Sequence, residues 1–210
     1  MNQSIFNSMK QHLPTTIGFV GIVFAIAMVS PAIAQTAGSI YYYDGSDKVY
    51  LQVEPGIVAE FAKPNQGQKN LSNSIIIKSD TSATMLKTYG NTTIWKSNAG
   101  GDSISYSKNL NQTSSSSFSP VLTTIKGSQL LALPGNILVE LAPSFTASQA
   151  DAFFAKRGLR SLQKLDIPGR NYYEVETPPG LASLEAANSL FGAEGVIAST
   201  PNFWREMVAK

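Results

Sequence analysis

From Ser39 to Phe61 the apolar and polar positions alternate in short runs broken by turn residues. Ile40-Tyr41-Tyr42-Tyr43 precedes Asp44-Gly45, Lys48-Val49-Tyr50-Leu51-Gln52-Val53 precedes Pro55-Gly56, and Ile57-Val58-Ala59-Glu60-Phe61 follows. Aromatic and β-branched residues between Asp-Gly and Pro-Gly predict three strands joined by tight turns. A polar loop is expected from Lys63 to Ser74, then short strands at Ile75–Lys78 and Thr92–Lys96, while Thr84–Tyr89 fits helix or strand. Ser97 to Ser119 is rich in Ser, Asn and Gly, which predicts a loop or linker. Val121–Ile125 and Gln129–Leu133 predict a hairpin around Lys126-Gly127, ended by Pro134-Gly135.

Beyond Pro134 the order is clearer. Ile137–Leu141 alternates as a strand, and Thr146 with Gln149 forms a capping box for a helix that should run to about Arg157 and stop at Gly158. Leu159–Leu165 reads as a weaker strand. After Pro168-Gly169, Tyr172–Thr177 puts Tyr173 and Val175 on one face and Glu174 and Glu176 on the other. A second helix after Pro178-Pro179-Gly180 carries Leu184, Ala187 and Phe191 at helical spacing and stops at Gly192; Val196–Thr200 is the last strand. The order β-α-β-β-α-β is the ferredoxin-like arrangement, two helices over one face of a four-stranded antiparallel sheet whose other face meets solvent or a partner. The expected fold class is therefore α+β: a β-rich N-terminal module at 35–96, a Ser/Asn/Gly-rich segment at 97–119, and a hairpin plus ferredoxin-like domain with a C-terminal tail at 120–210.

Residues 1–34 lie outside this pattern. Lys10, an apolar run from Ile17 to Val29 and Ala32-Ile33-Ala34 read as an export signal cleaved before Gln35. The run is shorter than the roughly 20 residues that span a bilayer, so a secreted or periplasmic product without stable membrane insertion is expected. The whole chain is 43% hydrophobic and 14% charged, a globular balance, and its 16 basic against 14 acidic residues argue against a nucleic-acid partner. There is no Cys, and the one His, His12, falls in the signal. Disulfides, thiol chemistry and imidazole metal sites are thereby removed, and a Ser-His-Asp hydrolase cannot be assembled. No enzyme, cofactor or metal centre is expected.

Among the carboxylates only Glu174 and Glu176 form a same-face pair. They read as a solvated or partner-facing edge rather than the acid/base pair of a sugar hydrolase. Asp44-Gly45-Ser46-Asp47 lacks the ligands of a calcium loop and is better explained as a hairpin turn. Tyr41, Tyr42 and Tyr43 fit a strand that is half core and half surface, and the third strand of the C-terminal unit has no RNA-binding Gly-aromatic motif. Phe203, Trp204, Met207 and Val208 concentrate apolar area in the tail; packing back onto the domain and lying extended in another protein's cleft account for them equally.

Gly135-Asn136-Ile137-Leu138-Val139-Glu140-Leu141, the helix end at Phe154 to Gly158, the Tyr-Glu-Val strand, Pro179-Gly180-Leu181-Ala182-Ser183-Leu184-Glu185-Ala186-Ala187-Asn188 and Gly195-Val196 through Pro201-Asn202-Phe203-Trp204-Arg205-Glu206 together resemble the N-terminal proregion of secreted bacterial subtilisin-like serine proteases. Tyr41 to Phe61 looks like the tyrosine-rich opening of the longer proregions. The resemblance implies a module that folds against a protease catalytic domain, assists its folding and blocks its cleft. Phe203, Trp204, Arg205, Glu206, Met207, Val208 and Lys210 would then contact the protease as the tail, and Glu174 and Glu176 as the sheet face. The sequence departs from the family in holding no Gly-Thr-Ser-Met-Ala or His-Gly-Thr segment. An inhibitor or folding assistant acting in trans, or a separated proregion, is expected; a non-catalytic extracellular binding or structural protein is the alternative.

Overall fold

The computed structural model describes residues 39–62, 74–98 and 102–207, all within one compact unit spanning 37–210. The expected signal, most of the expected Lys63–Ser74 loop, and Val208 to Lys210 of the tail lie outside the described residues. Among those described, the fold is mixed α and β, mostly strand, with four helices and two sheets.

β1 (Tyr41–Asp44) turns at Gly45 into β2 (Asp47–Phe61), with Asp44 opposite Asp47. Pro55-Gly56, expected as a turn, instead lies inside β2 at a register shift between Val53 and Val58. Gly56 has φ 70 there, its carbonyl accepts from Ser97 N at 2.8 Å, and an added Cβ would sit 2.9 Å from Ser97 O. The dipeptide therefore marks a β-bulge, which bends one long strand without ending it.

Ile75–Lys78, expected as a strand, forms helix α1 (Ile75–Ser79), capped by Ser74, whose hydroxyl accepts from Ile76 N. Full burial of Ile76 beside Trp95 and Phe118 outweighs the β preference of three isoleucines. β3 (Thr84–Tyr89) and β4 (Thr92–Lys96) follow, which settles Thr84–Tyr89 as a strand.

The expected linker at 97–119 instead contains α2 (Ser103–Thr113), N-capped by Asp102, and the start of β5 (Ser117–Thr124). The buried residues of α2 are Ser103, Ser107 and Leu110, so its inward face carries a single fully buried large apolar side chain, with Tyr106 packed in part against the same cluster. Small serines let the helix lie close to the strands, and the Asn111 amide fixes it by accepting from Phe118 N at 2.7 Å and donating to Phe118 O at 2.9 Å.

After β6 (Leu131–Ala132) the chain runs β7 (Asn136–Leu141), α3 (Ala147–Ala155), β8 (Arg160–Lys164), β9 (Asn171–Glu176), α4 (Leu181–Leu190), β10 (Val196–Pro201) and β11 (Trp204–Arg205). The expected capping box is present at Thr146 and Gln149, and Gly158 takes φ 69 after the helix. Helix α4 buries Ser183, Leu184, Ala187 and Leu190. Phe191, expected on that face, is its C-cap and stacks on Tyr43 at 3.5 Å.

The second sheet has the order β10-β7-β9-β8 with antiparallel neighbours. Ile137, Val139, Leu141, Tyr173 and Val175 meet Ala150 and Phe154 of α3 and Ala187 and Leu190 of α4, so both helices cover one face. The first sheet has the order β11-β6-β5-β2-β4-β3, with β1 also on β2. The strands at 117–132 thus join the N-terminal strands rather than the C-terminal unit. Leu184 packs with Tyr42, Leu51, Leu122 and Leu133, which makes α4 a layer shared by the two sheets.

Candidate functional site

The uncovered face of the second sheet follows from strand alternation. In β9 Tyr173 and Val175 are buried beneath the helices while Tyr172, Glu174 and Glu176 point the other way. Register places Leu138 beside Glu174, Asn136 beside Glu176 and Glu140 beside Tyr172. On the other flank Gln163 meets Glu174 and Arg160 meets Glu176.

The two sequence-expected glutamates are therefore together, and the sheet already engages both. Glu174 accepts from Asn136 Nδ2 and, at 2.6 Å, from Gln163 Nε2. Glu176 accepts from Arg160 Nε at 2.8 Å, in an ion pair whose partners are 68% and 51% exposed. Each carboxylate has room for further donors, since an ionised carboxyl offers about four acceptor sites. A third carboxylate, missed in the sequence, shares the face. Glu140 is buried, accepts from Arg170 Nε at 2.8 Å, and is held below the usual carboxylate range by Arg170 first, with burial opposing and the Tyr172 hydroxyl assisting. Its i, i+2 spacing from Leu138 was the available signal. Beside Arg160 and Glu176, a shallow groove of about 480 Å³ runs past Gly135, Pro178 and Pro179.

The tail is elsewhere. Asn202 N donates to Asn136 O at 3.1 Å, and the chain then crosses to the first sheet, where Trp204 pairs with Ala132 and Arg205 with Leu131. Phe203 meets the Tyr42 ring at 5.0 Å, and Trp204 meets Tyr89 at 5.5 Å. Glu206 N donates to Leu130 O at 2.9 Å. Its carboxylate, 8% exposed, accepts from Lys87 Nζ at 2.5 Å and Tyr89 Oη at 2.8 Å. The Lys87 hydrogen bond, more than Tyr89, holds this carboxyl below its ordinary value against the cost of burial. Lys87 and Tyr89 belong to β3 at the opposite end of the strand order, so the first sheet curls until its two edges meet through these side chains.

Of the tail residues expected to enter a protease cleft, Phe203, Trp204, Arg205 and Glu206 are thus seated in the protein's own sheet. Met207 is 86% exposed, and Val208 and Lys210 lie outside the described residues. The two expected contact regions sit on different sheets. Lys87 and Tyr89 were missed because they lie 119 and 117 positions from Glu206, although their alternation in β3 marks one face.

Among the described residues no helix is long and apolar enough to cross a membrane, and no group of three His, Cys, Asp or Glu side chains is placed to hold a metal. No family model matches the chain, and no curated protein or solved structure matches it.

Proposed function

We propose that the protein is a non-catalytic, exported partner of a subtilisin-like serine protease, an inhibitor or folding assistant that docks through the uncovered face of its second sheet. The observation that carries this reading is that face itself: a four-stranded antiparallel sheet with both helices on one side and Glu140, Glu174 and Glu176 on the other. The element order β7-α3-β8-β9-α4-β10 supports the ferredoxin-like arrangement of a protease proregion, in which such a sheet lies against the catalytic domain. Carboxylates on the face suit backbone donors of a partner, at about 0.3–1 kcal/mol each when they meet a helix N-terminus.

A second reading has its own support. Because Phe203 to Glu206 occupy the first sheet, a binding or structural protein that blocks no cleft is also consistent with the geometry. Titrating the purified protein against subtilisin-type proteases separates the two. Binding with inhibition is the expected result, binding without inhibition favours the second reading, and no binding to any such protease removes the first. Glu174→Lys with Glu176→Lys should weaken binding while leaving circular dichroism unchanged; unaltered affinity would place the docking face elsewhere.

A further inference from the structure

We infer that β11 is a displaceable strand, latched by Glu206 onto Lys87 and Tyr89, so that its seat beside β6 competes with any cleft that takes the tail. This rests on the reading above in which the tail enters a protease cleft. The seat is small. It consists of two paired residues, Trp204 with Ala132 and Arg205 with Leu131, and one further hydrogen bond from Glu206 N to Leu130 O. The neighbouring strand offers little backbone pairing of its own, since β6 joins β5 through one pair, Leu122 with Leu131, and is held instead by the burial of Leu131 and Ala132.

Phe203 and Trp204 pack in part against the first sheet's core, and the firmest side-chain hold is at Glu206. Phe203 and Trp204 are only half-buried, whereas Glu206 is buried and takes two donors from β3. Gln129 Nε2 also donates to the Glu206 carbonyl at 2.9 Å, and Met207 beside it is exposed. Lys87 is 54% exposed, so water can take over its side of the pair. Upstream, Phe203 N donates to Pro201 O and Asn202 N to Asn136 O, which ties the chain where it leaves β10. The strand can therefore swing from this turn without unpairing β10 from β7. Releasing it breaks few backbone bonds, uncovers one edge of the first sheet, and frees an extended aromatic segment that binds by strand addition.

Lys87→Glu in the otherwise intact protein tests the latch by hydrogen exchange, with no protease present. Protection at Trp204 to Glu206 should fall about tenfold, the effect of losing one charged hydrogen bond of about 1.4 kcal/mol, while β2 and β7 keep theirs. Unchanged protection at the tail would overturn the latch, and loss of protection across the whole first sheet would make β11 an integral strand. Lys87→Gln, which removes attraction without adding repulsion, serves if Lys87→Glu does not fold. Inhibition is read separately: the released variant should inhibit a subtilisin-type protease more tightly by a similar factor. Local release with unchanged inhibition leaves the latch standing and removes the tail from the cleft.

Discussion

The two sheets solve the same problem with different amounts of sequence. The second is assembled from Asn136 to Pro201 without interruption, each crossover carried by a helix, the first of them closed by a capping box, and its core is one cluster beneath those helices. The first gathers strands from Tyr41 to Arg205, bends one of them at Gly56, and closes its edges with side chains drawn from both ends of the series. A local sheet is specified by caps, stops and alternation; a distributed one depends on which distant residues fit.

That contrast is open to direct challenge. The largest effects are expected from its two aromatic anchors, Trp95 in the first sheet and Phe154 on the α3 helix that covers the second, each 1% exposed. Replacing either with Ala should cost about 3–5 kcal/mol in urea unfolding. Because α4 packs with both sheets, each variant should still unfold in a single transition; a two-step curve for Trp95→Ala, with the second sheet surviving, would mean that they fold separately.

Next come two glycines with nearly the same backbone angle and different surroundings. Gly56→Ala adds a clash with Ser97 O to the strain of φ 70, whereas Gly158, at φ 69, has nothing within 4 Å of an added Cβ. Thermal melting should show a loss of about 1–3 kcal/mol for Gly56→Ala and about 1 kcal/mol for Gly158→Ala. Equal losses would argue that the bulge is set by φ alone and not by the close approach of Ser97. A cap should cost less than the bulge: Thr146→Ala removes one hydroxyl from the box at α3 and is expected to lower stability by about 1 kcal/mol in the same assay.

The smallest effect is local and appears only in acid. The Glu206 carboxyl sits below its ordinary 4.5 in the folded protein, so its contribution is fully present above that value and is lost as pH falls through the folded one. Protection at Trp204 to Glu206, taken relative to the intrinsic exchange rate at each pH, should therefore fall below about pH 4.5, ahead of any change in β7. Tail protection that tracks β7 at every pH would show that the carboxylate does not hold the strand.

How much was legible in the sequence follows the same division. Thr146 with Gln149, Gly158, Gly192 and the alternation of Tyr173 and Val175 each act within a few positions, so they could be read directly. The glutamate face was readable for that reason. Helix α2 was not, because two serines dilute an inward face whose apolar residues are only Tyr106 and Leu110, and Asp102 as a cap was the other mark. Ile75 to Lys78 misled in the opposite sense: three β-branched residues became a helical turn that buries Ile76 fully and packs Ile75 and Ile77 in part against the same core. The fate of the tail was undetermined, since Phe203 and Trp204 suit an outside cleft and their own sheet equally. Tyr42, Tyr89 and Lys87 decide it, and none is near them in sequence.

The placement of β11 also has a consequence in time. A chain that emerges N-terminus first delivers β1 to β6 long before residues 204 and 205, so the first sheet must wait with an open edge beside β6 while everything up to β10 is laid down. Pairings across such separations are slow to form, and an uncovered edge is where chains stick to one another. Early arrest of synthesis, or clipping between Pro201 and Trp204, would strand the molecule at that step, and its hazard would then be self-association rather than unfolding.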